Sequence, residues 1–135
     1  MSKLITELKE EHKNIEKVFI ELQKNGATTE KGIKLIIASK QMVFEHLEKE
    51  NKQLYPFLRE KAKSDPMLKK TLETFSKDME SIADAIQIFY KKYSFSIENH
   101  DEFLQDMIKT KMSLKKRIMN EEIILYKAYE QLSKN

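Results

Sequence analysis

At 135 residues, with two glycines and two prolines, the chain is long enough to bury its own core as one domain and too poor in turn residues for a sheet protein. The absence of cysteine excludes disulfides, zinc–thiolate sites and thiol nucleophiles. A net charge of +3 is too small to point to nucleic acid, no apolar run approaches the roughly 20 residues of a membrane span, and the charged start Met1-Ser-Lys-Leu lacks a signal-peptide core, so a soluble cytoplasmic protein is expected.

Helix one is predicted from Ser2 to Asn25, stopping at Gly26 as C-terminal cap. Its apolar stripe is Leu4, Leu8, Ile15, Phe19 and Leu22, with His12 filling the gap at the same spacing. Thr28 or Thr29 caps helix two, which turns Leu35, Ile36, Val43, Leu47, Leu54 and Phe57 inward. Pro56 removes a backbone donor late in that helix and is expected to kink it. Asp65 as cap and Pro66 as first residue start helix three, whose stripe is Leu68, Leu72, Phe75, Met79, Ile82, Ile86, Phe89 and Tyr93. Asn99 with Glu102 resembles a capping box for helix four. There the stripe reads Phe103, Met107, Leu114, Arg117, Glu121, Ile124, Ala128 and Leu132. Short connections make successive helices antiparallel neighbours. The expectation is an all-α, up-down-up-down four-helix bundle spanning residues 1–135 as one domain. The basic run from Lys109 to Arg117 reads as a solvated helix face.

Polar residues on these apolar stripes carry the chemistry. His46 and Glu50 lie four apart, followed by Leu54-Tyr55-Pro56; seventy-one residues later the pattern returns as Arg117, Glu121, Leu125 and Tyr126. Positions four apart stack on one helix face about 6 Å from each other, so an imidazole and a carboxylate so placed can grip one metal ion. One such half-site is intact, and in the other arginine stands for the histidine. His12, His46, Glu50, Arg117 and Glu121 fall at one depth in the core. There they must satisfy each other or a ligand. His100 is expected to be an exposed first-turn residue, Met79 a core filler, and Tyr55 and Tyr126 to pack near the bundle end, with a role as iron ligand or redox side chain as the alternative.

These residues resemble the hemerythrin-like, HHE cation-binding family. His12-Lys-Asn-Ile15 matches its helix-one element, and His46, Glu50, Leu54, Tyr55 and Pro56 match its helix-two motif. Met79 stands at the helix-three histidine, Arg117 at the helix-four histidine, and Lys127 at the second proline. The resemblance implies a four-helix bundle with a non-haem di-iron centre. It also implies oxygen or nitric-oxide binding, iron handling or redox sensing. His12, His46, Glu50 and Glu121 are the metal positions that carry over. They suffice for one iron or other divalent ion and are few for two. Arg117 is a fixed positive charge that repels a second cation and can bridge Glu50 and Glu121.

The residues support two readings. One is a metal-binding protein with an altered, mononuclear or weakened site, whose partners are the metal ion and a diatomic gas. The other is a metal-free bundle that works as a structural or protein-interaction module, its core salt-bridged through Arg117. A haem held between Met79 and a histidine is a minor alternative. No nucleophile–base pair or phosphate loop supports a hydrolase or transferase.

Overall fold

The computed structural model describes residues 2–26, 29–93 and 97–134, and among them every regular element is helical. Local capping chemistry sets the boundaries. The Ser2 side chain accepts from the Ile5 amide at 3.2 Å and starts α1, Lys3–Asn25. Thr29 does the same for the Gly32 amide at 3.0 Å and starts α2, Glu30–Lys49; Thr28, the other candidate cap, lies outside the described residues. After α3, Tyr55–Ala62, Asp65 caps α4, Pro66–Lys92, through the Leu68 amide. Asn99 caps α5, His100–Asn120, through the Glu102 amide, and α6 runs Tyr126–Ser133. Each such cap satisfies one of the amides that a helix start leaves without an intrahelical partner. No helix among the described residues is long and apolar enough to cross a membrane.

Gly26 ends α1 with φ 67° and ψ −174°, donating its amide to Leu22. This backbone region is open essentially to glycine alone. A Cβ there would also lie 2.7 Å from Cε1 of His100. His100 is therefore half-buried against the glycine rather than exposed as its first-turn position suggested. Gly26→Ala should cost about 1–3 kcal/mol from backbone strain, with the ring contact adding to it. Denaturant unfolding checks this, and unchanged stability would show that the bend tolerates a side chain.

The second and fourth rods share an irregularity that the helical periodicity did not announce. Between α2 and α3 the hydrogen-bond ladder widens into a π-helical turn, Glu50–Leu54, closed by the Tyr55 amide on the Glu50 carbonyl. Between α5 and α6 the same turn spans Glu121–Leu125, closed by the Tyr126 amide on the Glu121 carbonyl. Lys127 stands where the first copy has Pro56, so the proline is not the common cause, and the ladder already departs from α-geometry ahead of it. A π turn inserts one residue and rotates the helix beyond it. Leu54 and Tyr55 are consequently both buried, as are Leu125 and Tyr126. The expected stripes shift accordingly. Ile124, expected inward, is 42% exposed, and Leu58 is fully buried while Phe57 is only partly so.

Two apolar clusters flank a polar layer. One gathers Ile15, Phe19, Val43, Ile86, Phe89 and Phe103; the other gathers Ile5, Leu8, Leu54, Leu58, Leu125 and Tyr126. His12, His46–Glu50 and Arg117–Glu121 lie in the sequence intervals between them. α1 packs on α2 and α5, α4 on α3 and α5, and α3 on α6. α4 is seated at its ends: Leu68 and Ile86 are buried, and no residue between them is. Leu72, Phe75, Met79 and Ile82 of its stripe are half-buried, leaving open clefts on both sides of its middle.

Candidate metal centre

His12, His46, Glu50, Glu121 and Arg117 are all buried, Glu50 completely. One ligand atom from each of the two histidines and two glutamates falls within 4.8 Å of every other. Nε2 of His12 and Nε2 of His46 face each other at 2.9 Å. His46 Nε2 is 3.4 Å from Glu50 Oε1, and His12 Nε2 is 3.9 Å from Glu121 Oε1. Ligand atoms on one tetrahedral ion with bonds of about 2.1 Å stand roughly 3.4 Å apart. The four donors, within 4.8 Å of one another, could therefore close on a single divalent ion after adjustments of an ångström or more.

Outer carboxylates fix the imidazoles. His12 Nδ1 lies 3.2 Å from Glu122 Oε1, and His46 Nδ1 lies 2.8 Å from Glu11 Oε1. An ionised carboxylate only accepts hydrogen bonds, so each Nδ1 carries the proton and each Nε2 presents its lone pair to the centre. Two bare lone pairs 2.9 Å apart repel unless a proton or a cation lies between them. Glu11 is held in turn by Lys49, whose Nζ is 2.9 Å from it and 2.6 Å from Glu7.

The tyrosines are part of this centre, which corrects their expected place at the bundle end. Tyr55, on the second rod, donates to Glu121 Oε2 on the fourth at 2.9 Å. Tyr126, on the fourth, donates to Glu50 Oε2 on the second at 2.8 Å and lies 3.1 Å from His12 Nε2. The π turns make this exchange possible, because each carries its tyrosine round to face the opposite carboxylate. Burial, reinforced by the Glu50 and Glu121 charges, holds both phenols far above their ordinary range, so they remain O–H donors.

Arg117 reaches both carboxylates, Nη2 at 3.5 Å from Glu50 Oε1 and Nε at 3.5 Å from Glu121 Oε2. Both contacts are long. Arg117 Nε and Glu50 Oε1 are buried without a hydrogen-bond partner among the described residues. Burial opposes the guanidinium charge, but Glu121 and Glu50 outweigh it and hold the group protonated. Burial also pushes Glu50 well above the usual carboxylate range, and the neighbouring Glu121 charge pushes it further. Burial, followed by the neighbouring His12, lowers His46 and favours the neutral imidazole that a metal needs. Met79 meets the Tyr55 hydroxyl with its sulfur and, with Arg117, lines the clefts on both sides of α4. The group offered to a metal does not include His100.

Glu11 and Glu122 escaped the sequence reading. Each adjoins a stripe residue and so points about 100° away from the inward face, in a chain whose charged residues make up 35% of the total. The one available signal was an acidic residue directly beside His12 and another beside Glu121.

The family model of the hemerythrin HHE cation binding domain matches residues 3–129. The chain belongs to that family, which indicates metal binding. Comparisons with curated proteins and with solved structures return no significant match.

Proposed function

We propose that this chain is a single-domain, antiparallel up-down-up-down bundle that holds one divalent ion, iron in the first place, through His12, His46, Glu50 and Glu121. The observation that carries this reading is the outer shell. Glu122 and Glu11 accept hydrogen bonds from the two Nδ1–H groups, so both Nε2 atoms aim at one point beside two buried carboxylates. Metal-binding histidines are oriented in this way by carboxylates behind them. An iron ion there supplies a Lewis-acidic, redox-active centre able to take a diatomic gas, which makes iron handling or gas and redox sensing the function favoured here. Tyr55 and Tyr126 orient the two carboxylates, the flanking apolar clusters keep water out, and Arg117 places a fixed positive charge where a second cation would have to sit.

The long contacts from Arg117 to both carboxylates favour a second reading, a metal-free bundle that acts through partner contacts. A zinc or cobalt titration of the untagged protein separates the two. On the metal reading one ion binds, and because burial and the Glu121 charge favour the protonated form of Glu50 while the ion needs the carboxylate, affinity falls as pH is lowered. Glu11→Gln and Glu122→Gln should each weaken binding about 10–100-fold. Binding that is indifferent to both outer glutamates would point to an ion held elsewhere, and no binding would favour the metal-free module.

A further inference from the structure

Beside the metal centre a cleft of about 250 Å³ opens between α4 and the second rod. Leu47, Leu72, Met79 and Ala83 give it apolar walls, Asn51 and Ser76 add polar edges, and Tyr55 and Arg117 lie where it meets the centre. Arg117 is only 7% exposed, yet it lines the cleft. A guanidinium is a planar fork of five N–H donors. Here it makes two contacts of 3.5 Å, so it keeps donor capacity that its own core does not use.

The charges state what is missing. When a divalent ion joins Glu50, Glu121 and Arg117, two carboxylates face one guanidinium and a doubly charged metal, and one positive charge is left in a buried site. Glu7 and Glu11 share Lys49, at 2.6 and 2.9 Å, and so keep one net negative charge, but they and Glu122 are about a third exposed or more and none of the three lines the cleft. At the cleft rim the exposed Arg59 and Glu80 offset each other. A negative charge next to Arg117 would meet the positive charge that the buried layer itself leaves over.

We propose that this cleft binds a compact amphiphilic monocarboxylate once the metal is in place, its acid group on Arg117 and its body against Leu47, Leu72 and Met79. A carboxylate matches the guanidinium fork in a way that a spherical anion does not. Size sets the class further. A dry cavity of about 150 Å³ takes benzene, so 250 Å³ takes a ring or short chain that also carries a carboxylate. The inference rests on the one-metal reading, because the unbalanced charge arises only when the ion binds.

The test is calorimetric titration of benzoate into zinc-loaded and zinc-free protein, after zinc uptake has been measured on the same sample. Benzoate should bind the loaded protein at least tenfold more tightly than the zinc-free protein, and tenfold more tightly than benzyl alcohol, which lacks the charge. By reciprocity benzoate should raise zinc affinity by the same factor. Arg117→Met should abolish the preference for benzoate over benzyl alcohol. Ala83→Phe, which fills the cleft wall away from the carboxylates, should remove benzoate binding while leaving zinc uptake unchanged. If zinc binds and benzoate gains nothing from it, the cleft proposal fails and the metal reading stands. Benzoate binding that survives Arg117→Met would place the anion on the zinc itself and also overturn the proposal. Failure of zinc to bind at all overturns both.

Discussion

Arg117→Met should destabilise the metal-free protein by about 3–5 kcal/mol, the usual cost of removing one partner from a buried ion pair. The guanidinium lies 3.5 Å from an oxygen of each carboxylate, and all three side chains are buried. Without it Glu50 and Glu121 are left together in a buried layer, with the Tyr55 hydroxyl donating to Glu121 and His12 3.9 Å from it. Methionine fills much of the same volume, so the loss reports charge rather than a cavity. Zinc or ferrous iron should then restore part of the stability, because a cation takes over the guanidinium's electrostatic role and binding to the native state stabilises it. Denaturant melts of both proteins, with and without metal, measure both effects. A variant as stable as its parent in the absence of metal would mean that the guanidinium does no electrostatic work in the core.

Histidine at both altered positions, Met79→His with Arg117→His, should raise the bound metal from about one ion per chain to about two. The two residues border the same pair of clefts. A second ion lacks nitrogen donors there and meets a fixed positive charge. Arg117→His removes that charge and supplies one imidazole. Met79→His alone supplies one while the charge remains, so each single change should do less than the pair. Metal content by elemental analysis after anaerobic iron loading decides this. A double variant that binds no more iron than the parent would show that something other than these two side chains limits the site.

What the sequence made legible was local or periodic. Asp65 and Asn99, and Thr29 as one of two candidates, could be named as caps because a short polar side chain bonds an amide two or three residues on, whatever the tertiary fold; Ser2, expected inside helix one, proves to be its cap. His12, His46, Glu50, Arg117 and Glu121 stood out because polar groups broke an apolar rhythm, and they meet in one buried layer. The π turns were not legible. A single residue inserted into a helix leaves no compositional mark, and its effect appears only when the residues beyond it face a new direction. The inward expectation for Ile124 fails on that account, and Leu58 and the two tyrosines enter the core for the same reason. Glu11 and Glu122 were hidden among surface charges, since their role depends on the rotation of neighbouring helices. The open middle of α4 was equally invisible. Its stripe has the regular three-four spacing of a buried helix, yet Leu72 to Ile82 seat only partway.

Metal stoichiometry on untagged protein, reconstituted with ferrous iron without oxygen and freed of excess ion, tests the central claim most directly. One ion per chain, lost when His46 is changed to alanine, is the predicted result. Two ions per chain in the parent protein, or one that remains after His46→Ala, would contradict a single site built from His12, His46, Glu50 and Glu121.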